Sequence, residues 1–228
     1  NRSTIRLICL RINYNNFNVK RFVSEGILLY IGNEVDGKKE GIHIEFDGGK
    51  RIRYFTEYKG GLKQNECYSI NKTGVKKYSF KNDKLHGVQQ TFANNGYCSS
   101  EIEYKNGIRN GKSTLFWYTG KIKEELIYED GKIVDCDYIE YHPHGEKSVV
   151  GRYKNGKKEG WWKSYYQDGK ILFDVKYARD LKEGMCNTYH DHGQLETKYD
   201  YSLGRIKDGE YKEYHPNGQV RLKGTYLN

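Results

Sequence analysis

Two histidines flank a proline in Tyr141-His142-Pro143-His144-Gly145, and a related run follows at Tyr189-His190-Asp191-His192-Gly193. His215 has the same setting in Tyr214-His215-Pro216-Asn217-Gly218. Imidazoles two residues apart suit a metal ion or an acid–base pair. Zinc takes three or four ligands converging at about 2.0–2.3 Å. The cysteines at positions 9, 67, 98, 136 and 186 are odd in number and include no CxxC, so they suit neither a zinc ribbon nor a disulfide framework. Carboxylates alternate with lysines along the chain, which marks a solvated face rather than a dry pocket able to drive a pKa far from normal. Gly151–Lys157 spells GxxxxGK, but Lys158 follows where a phosphate loop needs Ser or Thr. No nucleophile elbow occurs. These absences point away from an enzyme, a cofactor or a metal centre.

The histidines acquire a meaning once the elements that carry them are laid out. In Tyr153–Tyr177 an anchor glycine (Gly160) is followed by an aromatic (Tyr165), a turn glycine (Gly169) and a closing tyrosine (Tyr177). Anchors recur at Gly41, Gly87, Gly111, Gly160, Gly184 and Gly209, with Cys136 standing in once. The aromatic recurs as Phe46, Phe92, Phe116, Tyr141, Tyr165, Tyr189 and Tyr214. Turn glycines run from Gly49 to Gly218, and closing aromatics from Tyr58 to Tyr226. The period is 24 or 25 residues, with one step of 22, and eight copies fill residues 41–228.

After each turn glycine the pattern has a period of two. Ile171, Phe173, Val175 and Tyr177 share one face; Lys170, Asp174 and Lys176 take the other. The aromatic-rich segment before the turn, such as Trp161–Tyr166, is also strand-like. The intervening QDG, PHG, PNG and DHG are turn sequences. Each copy is therefore a β-hairpin, and YKNGKKEG leads into the next. An isolated hairpin is marginal in water, so the copies must pair edge to edge. The expected fold is all-β: an elongated, twisted antiparallel sheet of tandem β-hairpin repeats. Residues 1–40 fit the repeat poorly and read as an N-terminal cap, with an opening strand in Asn1–Ile12 and a worn second strand in Gly26–Tyr30.

In these residues the chain resembles the MORN repeat family in its bacterial variant form. The units nearest the pattern are Gly209–Tyr226 and Gly160–Tyr177; Cys136, the degenerate Glu66–Phe80 unit and Asp180 depart from it. The resemblance implies a non-catalytic module: a scaffold, a membrane-associated organiser or an accessory domain. The bacterial variant also includes YwqK-like antitoxins, which neutralise partner toxins.

The residue after the aromatic forms its own row: Trp117, His142, Tyr166, His190 and His215, with Trp161 and Trp162 opening the sixth hairpin on either face. Trp117, His142, Trp161, Tyr166, His190 and His215 are thus candidate partner-binding residues, since aromatic anchors dominate binding energy. The alternative is that the row is packing. The expected partner is another protein, with toxin neutralisation the most specific form. A homodimer through the C-terminal edge strand is a further expectation. The formal charge of +9 adds anionic membrane as an alternative. Nucleic acid ranks behind it, since no groove motif is present. Unpaired cysteines place the chain in a reducing, cytoplasmic compartment, with loss of a signal peptide ahead of Asn1 left open.

Overall fold

A computed structural model describes residues 20–24, 27–48 and 51–227. Every regular element among them is a strand, and each sequential pair of long strands for which a register is resolved runs antiparallel. The chain is all-β, built of tandem hairpins. Its contacts divide into two compact units, residues 1–113 and 114–228. The opening strand expected in Asn1–Ile12, Cys9, Gly26 and the turn glycine at Gly49 lie outside the described residues.

Two kinds of turn alternate, and the sequence dictates both. Between hairpins the chain turns through two residues of positive φ, as at Asn155 (52°) and Gly156 (72°). This is the I′ geometry whose twist matches that of the strands it joins. Residues 36–37, placed by the sequence in a cap, turn the same way and lead the strand Ile27–Val35 into Lys38–Phe46. At the hairpin tips a three-residue loop ends on glycine. In Pro143–Gly145 the His142 N–H donates to the Glu146 carbonyl at 2.7 Å, and the Gly145 N–H donates back to His142 at 2.9 Å. The same two bonds recur at Trp117, Tyr166, His190 and His215.

Departures from the repeat have local causes. Asp180 takes a φ of 71° where glycine is usual, a conformation its short polar side chain tolerates. It also exchanges two bonds with Lys158: Lys158 N–H to Asp180 Oδ1 at 2.7 Å, and Asp180 N–H to the Lys158 carbonyl at 3.0 Å. In the Glu66–Phe80 region the tip is a two-residue turn, because Asn71 Oδ1 accepts the N–H groups of Thr73 (2.8 Å) and Gly74 (3.1 Å). Cys136 replaces an anchor glycine where one extra residue follows the I′ turn; Gly209 sits at the same offset after Gly204.

At six of the seven anchors a buried side chain comes two residues on, and none comes five residues on. Tyr141 and Tyr165 are only half-buried, whereas Trp162 is 2% exposed. The buried row reads His43, Cys67, Gln89, Ser113, Tyr138, Trp162 and Cys186. Trp162 packs among Tyr138, Tyr153 and Tyr177 at centroid distances of 5.1, 5.2 and 6.2 Å, with Val175 beneath it. Tyr177, Val175 and Phe173 share that face, as the period of two requires. In the first unit a second cluster forms around Ile44 and Phe55, with Ile31, Ile42, Phe46, Ile52, Tyr68 and Ile70 against it.

Candidate functional site

The row after the tip aromatic is assembled by the turn itself. Both backbone bonds that close the tip begin or end on this residue, so its side chain is delivered at one fixed place in each of these five hairpins. There it reaches the next repeat. The Trp117 indole N–H donates to the Tyr141 carbonyl at 2.7 Å. His142 Nε2 donates to the Tyr165 carbonyl at 2.9 Å. The Tyr166 hydroxyl donates to the Tyr189 carbonyl at 2.8 Å, and His190 Nε2 to the Tyr214 carbonyl at 3.0 Å. Trp, His and Tyr share one property that matters at this distance: a polar hydrogen at the far end of a ring. His215, in the last of these tips, is exposed.

A second rung lies just outside the first. Thr119 Oγ1 donates to the Pro143 carbonyl at 3.0 Å, and His192 Nε2 to the Pro216 carbonyl at 2.7 Å. Lys170 Nζ reaches the Asp191 carbonyl at 3.0 Å, and Lys121 Nζ that of His144. His142, His190 and His192 each use Nε2 as a proton donor to a backbone carbonyl of the next repeat. The His190 and His192 rings stack at 5.5 Å. No cluster of three metal-ligating side chains occurs among the described residues. Tyr141–Gly145 is a turn whose first histidine clamps the neighbouring repeat.

The opposite edge carries a clamp the sequence reading passed over. Lys-Glu-Gly recurs at residues 39–41, 158–160 and 182–184. Its glutamate captures the first N–H of the next I′ turn: Glu40 that of Gly60 (2.6 Å), Glu159 that of Arg179 (3.0 Å), Glu183 that of Leu203 (3.0 Å). Its lysine lies over the closing aromatic, 4.9 Å from Tyr58, 5.3 Å from Tyr177 and 4.7 Å from Tyr201. The tripeptide was in plain view, but its partners lie some 20 residues on, at the far end of the same hairpin and in the turn that follows it.

Trp161 behaves differently from the row. It faces away from Trp162 and is 52% exposed, with Lys176 across from it in the neighbouring strand. Met185 occupies the same place one repeat on and is 41% exposed. The thiols of Cys67, Cys98, Cys136 and Cys186 are all held above their ordinary pKa, chiefly by burial, which keeps them protonated and weakly nucleophilic.

Fold and edge chemistry together define a class: a tandem β-hairpin repeat protein whose units are clamped to each other along both edges. Three segments, residues 109–130, 158–178 and 207–228, match the model of the MORN repeat variant. Each begins shortly after an I′ turn and spans one hairpin, anchor to closing tyrosine. The matches support a MORN repeat protein, and MORN repeats are in general protein- or membrane-binding modules without catalysis. No curated protein matches the chain.

Proposed function

We propose that this protein is a non-catalytic repeat module that binds another protein, and that Trp161 anchors the contact. Neutralisation of a partner toxin is the most specific form of this reading, and a scaffold role is the broader one. The observation that carries it is the exposed indole of Trp161, with Met185 exposed at the same place one repeat on, on the face opposite the packed Trp162. Burying that indole in a partner would contribute on the order of 2–4 kcal/mol, as interface tryptophans do. Among the six residues first singled out, Trp117, His142, Tyr166 and His190 already spend their polar hydrogens on the adjoining repeat. They hold the surface in shape and leave Trp161 and His215 exposed, of which Trp161 offers the larger apolar surface.

The test is a pull-down with the wild-type chain and Trp161→Ala as baits, read by mass spectrometry. A partner retained by the wild type and lost by the variant, at unchanged melting temperature, is the expected result. A partner captured equally by both baits removes Trp161 from the interface.

A further inference from the structure

The net charge of this chain is confined to one of its two units. Residues 1–113 contain 20 Lys and Arg against 11 Asp and Glu, whereas residues 114–228 contain 19 of each. Nothing in the repeat requires this, because the edge clamps use the same Lys-Glu-Gly in both units. The excess positive charge is therefore separate from the scaffold chemistry.

Within the first unit some of it gathers around a cleft of about 260 Å³, lined by Asp47, Arg51, Ile52, Arg53, Ile70 and Lys72. Arg51, Arg53 and Lys72 are exposed, and none forms an ion pair among the described residues. Arg53 lies 5.3 Å above the Tyr54 ring, which limits where its guanidinium can swing. Asp47, the acidic residue of the lining, accepts the Arg51 backbone N–H at 3.0 Å. The aliphatic part is firm: Ile52 and Ile70 pack on Ile44 and Phe55, each 4% exposed.

We propose that this cleft docks an acidic segment of a protein partner: an apolar side chain flanked by Asp or Glu. The proposal rests on the protein-binding reading above and names the chemistry of what is bound. Charge complementarity selects the carboxylates, and guanidinium groups pair with them in two-point fashion. Ile52 and Ile70 select the apolar residue between them. A bare phosphate would satisfy the cations and leave the two isoleucines unused. The one-sided charge would also steer an acidic partner onto this unit before any short-range contact forms.

The probe is a fluorescein-labelled Glu-Asp-Leu-Glu-Asp peptide, with Gln-Asn-Leu-Gln-Asn as the neutral control, followed by anisotropy. The full chain should bind the acidic peptide and not the neutral one, and binding should weaken from about 50 to about 300 mM salt. The R51E/R53E double variant should lose at least about tenfold in affinity, or 1.4 kcal/mol, with an unchanged circular dichroism spectrum; K72E alone serves if the double variant misfolds. Trp161→Ala should bind the peptide normally, so a failure here is separable from a failure of the Trp161 contact. The proposal is overturned if the wild type does not bind the acidic peptide, binds the neutral one equally well, or keeps its affinity in the charge-reversal variant. It is also overturned if inorganic phosphate competes fully, or if phosphatidylserine vesicles bind through the same arginines while the peptide does not.

Discussion

Gly151→Ala is a one-carbon change whose cost can be worked from the packing of a single ring. Gly151 lies in the strand Lys147–Lys154, paired with Tyr138, and its φ is not positive, so alanine meets no backbone objection there. A Cβ at this position would instead lie 2.2, 2.3 and 2.6 Å from three atoms of the Trp162 ring. Ordinary carbon contacts fall at about 3.5–4.0 Å, so the indole must retreat by more than an ångström. It has nowhere to go: Tyr138 and Tyr153 stand within 5.2 Å of its centroid, and Val175 beneath it is 1% exposed. Overpacking a closed site costs about 1–3 kcal/mol, and this one belongs at the upper end. Loss of unfolded-chain freedom returns about 0.4–1 kcal/mol, leaving about 2 kcal/mol of net destabilisation. For a cooperative unit of this size that lowers the melting temperature by about 8 °C. Urea titration followed by tryptophan fluorescence measures it directly, since Trp117, Trp161 and Trp162 all lie in residues 114–228. The decisive comparison is the same change made in a Trp162→Leu background. There the ring is gone, and Gly151→Ala should be neutral or slightly stabilising. An equal cost in both backgrounds would refute the ring contact as the cause.

Further outcomes follow from the clamps and the buried row. Tyr166→Phe removes the bond to the Tyr189 carbonyl and nothing else, so it should cost about 1 kcal/mol in a urea titration; a change near zero would mean the clamp is cosmetic. His43 is 1% exposed, accepts from the Tyr30 hydroxyl at Nδ1 and donates Nε2–H to the Asn33 carbonyl at 2.9 Å. Burial, helped by the nearby Lys39 ammonium, lowers its pKa despite Glu34 and the carbonyl of Asn33. Below the free-histidine value near 6.5 the unfolded chain gains a proton the folded one resists, so stability falls as pH drops from there, by at most about 1.4 kcal/mol per pH unit. Hydrogen exchange over residues 30–59 at about pH 7.5 and 5.5 should show this loss, and His43→Gln should remove it. His192 is shifted the other way, its proton held by the Pro216 carbonyl and Asp191, so global pH curves alone will mix the two.

The hairpins, their turns and the class of fold were legible in the sequence because each is a short-range matter. Asn155-Gly156 makes its turn from two residues, and Ile171 to Tyr177 takes sides by alternation alone. The depth of burial was not legible in the same way. Tyr141 and Tyr165 announce themselves as recurring aromatics, but the buried place holds His43, Cys67, Gln89, Ser113, Tyr138, Trp162 and Cys186, which span six side-chain types. That place is closed by the neighbours' tyrosines, by lysine stems and in part by glycine, as at Gly151, so what fills it varies with what surrounds it. The row of Trp117, His142, Tyr166 and His190 was visible as a row, yet its purpose was hidden. Reading it as a hydrogen-bond ladder requires knowing which carbonyl stands opposite, one repeat away.

The tolerance of the buried row says where the repeat keeps its specificity. A place that accepts glutamine and serine as readily as tryptophan cannot define the register between hairpins. The two edges can, because a ring N–H or O–H on one side and a glutamate on the other each recognise a backbone group fixed by a turn. Slipping one strand by a residue would break both ladders at once and turn every side chain to the wrong face. Stability then comes unevenly, since nearest-neighbour terms add along such an array. It is greatest around Trp162 and Val175. The row is polar at Gln89, where the side-chain amide bridges the Ser79 and Gly87 carbonyls at 3.2 Å, and again at Ser113, the last residue before the boundary between the two contact units. A chain organised this way can vary its faces freely, and that freedom is what allows Trp161 to stand exposed on one unit and the arginine-lined cleft to form on the other.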